Sequence, residues 1–409
     1  MKTQIVFTLL LLTASGIFSQ TVNFYYDRGA EELKNKQYEA AIKDFQTVIA
    51  QDEYYWEAFH DMGVAYLALG KKEEAITAFD GAIKAKKDYY EAYVNRANAY
   101  YELGKKKEAI KDFEQVINMK PDYIPAYEKR AEMYISMKEE DKALIDLGKA
   151  ITLDTKNPET YYRDALIQIS KGFTDNAMED FAKAVSLKTD YKECYLERGK
   201  LYYSLKDYKK AAADFSTAIG YQLADANVYT LRAHSYFAMK DYTKAIEDYT
   251  RLITGFASKD KEVWLNRGIC YSETNQAALA IKDFGKAIIY DREYFQAYYE
   301  RGMAYSSQGK SKAPLALRDL NKAIELKSDC GEAYYKRGKH YFNYQNYELA
   351  IKDMTSALKY LKDPDADIYY LRGAAYYELK EKSKACEDLL KAKQMNHPKA
   401  VESYDKMCY

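Results

Sequence analysis

Nine times along this chain an arginine is followed, at a fixed distance, by an aspartate. Arg28–Asp44, Arg96–Asp112, Arg130–Asp146, Arg198–Asp214, Arg232–Asp248, Arg267–Asp283, Arg337–Asp353 and Arg372–Asp388 are sixteen apart, and Arg301–Asp319 is the same pair stretched to eighteen. A guanidinium facing a carboxylate could orient a substrate or tune a neighbour's pKa. Nine copies of one pair cannot be nine active sites. The spacing instead predicts an ion pair at one level of two paired helices, repeated as a strut. Met62 and Ala78 stand at the equivalent places in the second period, so both partners are lost together. That is the tolerated route, because losing one strands a buried charge. The fifth period breaks the rule with Asp164 opposite Asp180, and Gln168 stands where tyrosine is expected. Arg163, one residue away, is the candidate compensator, and residues 158–190 are expected to be the loosest part of the chain.

Other chemistry has little to stand on. His60, His234, His340 and His397 lie far apart, with no HExxH and no metal-ligand spacing to a cysteine. No glycine-rich phosphate loop or nucleophile elbow is present. No cofactor, no metal and no enzymatic activity are therefore expected. The 62 basic and 62 acidic residues cancel, which argues against a nucleic-acid footprint. Cys194, Cys270, Cys330, Cys386 and Cys408 show no CxxC spacing. At least three read as small buried thiols, and Cys386 can pair with Cys408 across the last helices.

The N-terminus has its own character. One lysine precedes the apolar run IVFTLLLLTASGIF, and SQTVN follows it. That is the pattern of a secretory signal peptide over residues 1–19, with Gln20 expected first in the mature chain. The exit "FSQ" resembles signal peptides of the Bacteroidota. No cysteine follows that would take a lipid, and no later stretch is apolar enough to span a bilayer. The expected location is periplasmic or extracellular.

The elements that position the pairs follow from the periodicity. Anchoring on the small residue after each arginine gives Gly29, Gly63, Ala97, Ala131, Ala165, Gly199 and Ala233 at steps of 34, then Gly268, Gly302, Gly338 and Gly373 at 34 to 36. An alanine follows twelve residues after each anchor, two later in the ninth copy because SKAPLA carries an insertion. Tyrosine stands three past the anchor in nine of eleven copies, and Phe or another large apolar residue sixteen past it. Each period splits into two stretches with apolar residues at helical spacing. Gly70, Gly104, Gly172 and Gly309, or Lys and Asn at equivalent places, separate them. One such hairpin cannot bury its apolar side alone, so the copies stack.

The pattern small–x2–Tyr…Ala–x3–Phe–x2–Ala at this period resembles the tetratricopeptide repeat, over about residues 22–395. The resemblance implies an all-α fold, a right-handed α-solenoid superhelix of about eleven helix-turn-helix repeats, with residues 396–409 as a C-terminal capping helix. It also implies a non-catalytic scaffold that binds a partner peptide or protein segment on the concave face lined by the first helices. Carrying the groove positions over gives Tyr101, Tyr162, Tyr203, Phe237, Tyr299, Tyr335, Phe342 and Tyr370, with Tyr26 and Tyr377 at the ends. The competing reading is that many of these rings pack between repeats. Asn95 and Asn266 occupy the central position of the carboxylate clamp of one subclass. Their neighbours His60, Val64, Thr230 and His234, with no Lys-Arg pair following, leave that clamp unformed. The alternatives are a structural subunit of an envelope or secretion assembly, acting through its convex face and ends within a membrane-associated complex, and, more weakly, capture of a glycan or small ligand.

Overall fold

The computed structural model describes residues 20–408, and every regular element among them is helical. Residues 1–19, read as a signal peptide, lie outside the described residues. Each period is a helical hairpin. In repeat 3 the first helix is Tyr90–Glu102 and the second Lys106–Met119. Ala92, Ala97 and Ala99 are buried on the first, and Ala109, Asp112, Phe113 and Val116 on the second. These positions recur every one to five residues along one side of each helix, the stripe of an amphipathic helix. Ala97 and Ala109 are small enough to let the two backbones approach, and Phe113 fills what remains. Burying that ring stabilises the hairpin by about 2–3 kcal/mol. Where the anchor is glycine the fit is tighter: a Cβ added at Gly63 would stand 2.5 Å from the Phe79 ring.

The turn between the two helices shares one backbone feature in all eleven repeats and the same closing hydrogen bond in ten of them, repeat 9 with its insertion turning differently. The residue seven past the anchor has positive φ, in glycine at positions 70, 104, 172 and 309, and otherwise in Lys36, Lys138, Lys206, Lys240, Asn275, Gln345 and Lys380. The next N–H reaches back to the helix, as Asp241 does to the Tyr236 carbonyl at 2.9 Å. This is the Schellman closure, which satisfies a carbonyl the helix end leaves open.

All nine arginine–aspartate pairs are two-pronged. Nε and Nη2 of each arginine donate to the two carboxylate oxygens of its aspartate, at distances between 2.5 and 3.0 Å. The aspartates are buried at the hairpin seam. The third nitrogen of several arginines reaches the second helix of the preceding repeat: Arg96 to Asp80, Arg232 to Ser216, Arg267 to Thr250, Arg337 to Asn321 and Arg372 to Thr355. Rings on the arginine's own helix flank it, as Tyr229 and Tyr236 flank Arg232. The strut therefore ties a hairpin together and ties it to its predecessor. The insertion in repeat 9 is absorbed by a 3-10 turn, Lys310–Lys312, which leaves Arg301 on Asp319.

Repeat 5 differs from expectation. Arg163 does not compensate for the missing strut, because its guanidinium pairs with Glu159 one turn back at 2.6 Å. Gln168 does so instead, donating its amide to Asp164 and, at 3.3 Å, to Asp180. Burial, together with the carboxyl of Asp164, pushes Asp180 well above the ordinary carboxylate range.

The chain divides into two compact units, residues 1–194 and 195–409, at a point inside the first helix of repeat 6, Lys192–Ser204. Within each unit the second helix of one repeat packs on the first helix of the next, as Lys72–Ala85 does on Tyr90–Glu102. At the end of the second unit a short helix, Ala400–Cys408, packs on Lys382–Gln394. A disulfide joins Cys386 to Cys408, and Lys393 pairs with Asp405 at 2.9 Å. Cys194 and Cys270 are buried thiols, and Cys330 is half-buried.

Candidate binding face of the first helices

In each unit the first helices touch one another along a common face. In the first unit the Tyr26 hydroxyl donates to Asp61 at 3.0 Å, and the Asn95 amide meets His60 Nε2 at 2.9 Å. Tyr101 donates to Glu132 at 3.2 Å, and Thr160 to Glu128 at 2.5 Å. Asn95, the clamp-like position, is thus engaged by His60, which in turn contacts Asp61.

The aromatic residues expected to line a groove fall into distinct environments. Tyr203, Phe237 and Phe342 each pack edge-on against a tyrosine five residues later, at the start of the second helix: Tyr208, Tyr242 and Tyr347. These are contacts within one hairpin. Tyr162 and Tyr370 are covered by a ring from the end of their own repeat, Tyr191 at 5.0 Å and His397 at 4.3 Å. Tyr101 and Tyr335 give their hydroxyls to acids of the following repeat, Glu132 and Asp367. Asp367 also receives Lys339 at 2.8 Å and faces His397. Most of the aromatic signal is therefore inter-helix packing.

Two candidates border open space. Tyr377 is exposed beside Glu378, Lys380 and Lys382, and Tyr299 is the more buried of the two. It lines a cleft of about 550 Å³ in the second unit, bounded by Ser272, Glu273, Glu300, Met303 and Lys336 from three successive first helices, Lys261–Glu273, Phe295–Ser307 and Gly331–Asn343. Burial pushes the Tyr299 phenol up, so it stays protonated and can donate. Glu300 is also raised by burial and accepts from Gln296 at 2.8 Å. The cleft offers a phenol, a carboxyl, a thioether and an ammonium at one mouth. That mixture suits peptide groups and side chains.

A second cavity, in the first unit, is lined by none of the expected groove aromatics. It holds about 210 Å³ and is lined by Glu128, Lys129, Glu132, Leu147, Asn157, Glu159, Thr160 and Arg163. A signal for it was present. In the other repeats of that unit the residue twenty-six past the anchor is a tyrosine, Tyr55, Tyr89, Tyr123 or Tyr191, and here it is Asn157.

The tetratricopeptide repeat family profile matches residues 26–89, 60–124, 196–261, 230–294 and 335–400, and a second profile of the same family matches 124–157. Among solved structures, MamA shares 25% identity over 39% of this chain and 94% of its own, with a TM-score of 0.38. YrrB, described as a TPR protein with an unusual peptide-binding site, shares 21% over 46% of this chain and 95% of its own, TM-score 0.41. A tetratricopeptide repeat protein from Parabacteroides merdae shares 20% over 61% and 98%, TM-score 0.40. No curated protein matches the chain significantly. The repeat profiles, with the hairpins, anchors and turns that carry them, settle the family: this chain belongs to the tetratricopeptide repeat proteins.

Proposed function

We propose that this protein is a non-catalytic scaffold that holds a segment of a partner protein against its first-helix face. The family fold suits that role. The observation that carries the reading is the Tyr299 cleft, where a sequence-expected aromatic borders open space and is not covered by a neighbouring ring. Tyrosine gives large contact area at low entropy cost, and its hydroxyl can meet a backbone carbonyl. The test is capture of partners from an envelope extract by the wild-type chain, by Tyr299→Ala and by Phe237→Ala. Loss with Tyr299→Ala, and retention with Phe237→Ala, supports the reading. Equal capture by all three removes it.

Export completes the proposal. The N-terminal pattern supports it, and so does the Cys386–Cys408 disulfide, since such bonds persist in oxidising compartments. Cell fractionation, with sequencing of the mature N-terminus, checks this. A chain that keeps Met1 and stays in the cytosol contradicts it.

A further inference from the structure

In the first unit a recurrent aromatic contact closes the space beside each first helix. The residue three before the anchor meets the residue twenty-six after it: Tyr26 with Tyr55 at 5.0 Å, His60 with Tyr89 at 5.1 Å, and Tyr162 with Tyr191 at 5.0 Å. Val94 and Tyr123 fill the same two places in one apolar cluster. Repeat 4 has Glu128 and Asn157 there, and the 210 Å³ cavity opens between its first helix, Ile124–Ser136, and that of repeat 5, Pro158–Ser170. The cavity is the space an aromatic ring would fill.

Its chemistry is specific. Leu147 supplies an apolar wall. Glu128 is fixed by the hydroxyls of Thr155 and Thr160, at 2.6 and 2.5 Å. Glu132 accepts from Tyr101 and from Lys129, and Glu159 from Arg163 and Tyr191. The two cations of the lining are thus already bound in ion pairs, while among the described residues Glu128 accepts from two hydroxyls. The two preceding first helices carry Glu57, Asp61 and Glu91, with the Lys86 ammonium over the Tyr89 ring beside them. The cavity lining itself holds three carboxylates, Glu128, Glu132 and Glu159, against the two cations Lys129 and Arg163.

We propose that this cavity receives the side chain of a lysine or arginine from an extended basic segment of the partner. An alkyl stem along Leu147 and a cationic head at Glu128 match the arrangement of the lining. The proposal rests on the scaffold reading above and adds the charge of what is held.

The test uses the full mature chain and three fluorescein-labelled extended peptides, with lysine, norleucine or glutamate at every second position. The lysine peptide is expected to bind about tenfold or more tightly than either counterpart, with affinity falling as salt rises. Glu128→Gln should remove most of that preference. Asn157→Tyr restores the ring found in the neighbouring repeats but gives up the Asn157 cap on the Glu159 N–H. It should fill the cavity and abolish the preference while the chain stays folded by circular dichroism. Equal binding of the lysine and norleucine peptides, no binding of any peptide, or wild-type binding by a folded Asn157→Tyr chain each overturns the proposal. The scaffold reading is judged separately, by partner capture with Tyr299→Ala. Sensitive capture without a basic preference defeats this inference alone.

Discussion

At the scale of single residues, the arginine–aspartate pair shows how a motif of catalytic appearance becomes a structural one. Asp214 is buried and receives both prongs of Arg198, so Asp214→Ala removes two charge-assisted hydrogen bonds at the hairpin seam. We expect that change to cost about 3 kcal/mol or more, read by chemical denaturation. The double change Arg198→Met with Asp214→Ala copies repeat 2, where Met62 and Ala78 occupy these places, and should cost less than the single one. A double variant weaker than Asp214→Ala would refute the strut. Asp180 supplies a pH signature. Its folded-state pKa is raised above the unfolded carboxylate value of about 4. Its contribution is therefore fully present below that value and is lost as pH rises toward the folded pKa. Hydrogen exchange over residues 158–190 should quicken across that range beyond the intrinsic base-catalysed rise, and Asp180→Asn should remove the excess. The pair spacing and the break at Asp164 were legible because both are written in single residues. The role of Gln168 was not, because a side chain spanning two carboxyls leaves no periodic trace.

Among the elements, the hairpins were the most legible feature, since small anchors, the alanine twelve on and the ring sixteen on each repeat with the helix period. The turn was equally regular, although only four of its residues are glycine. Lysine in the left-handed region carries a steric cost that glycine lacks. Lys206→Gly should accordingly raise stability by about 0.5–1 kcal/mol, measured as a shift of the denaturation midpoint. The groove aromatics were the least legible. Tyr203 and Tyr299 are both groove-position tyrosines, yet Tyr208 covers the first, and the second borders a cleft. The two stand at different places in the repeat, Tyr203 four past its anchor and Tyr299 three before it. At that second place Tyr26 and Tyr162 are covered by Tyr55 and Tyr191, while Tyr299 borders the cleft. Asn157 makes the same point in reverse, since a missing ring opens a cavity that the residue alone does not announce.

For the whole molecule, stability in each unit is assembled from neighbour contacts, so damage stays local. Cys386–Cys408 closes a loop of 22 residues onto the last hairpin. Its reduction, or Cys408→Ser, should loosen the final repeat and helix by about 2–4 kcal/mol and leave hydrogen exchange in the first unit unchanged. Uniform loosening would contradict a chain built from nearest-neighbour terms. Function has the same local character, because it depends on where the first-helix face is left open rather than on the family pattern that closes it. The most direct test of that claim is site-specific photo-crosslinking in the native cell. One probe replaces Met303 inside the Tyr299 cleft, and the other replaces Ile289, which is 66% exposed on a second helix. A partner adduct at 303 and none at 289 is the predicted result; adducts at 289 with none at 303 would contradict the account.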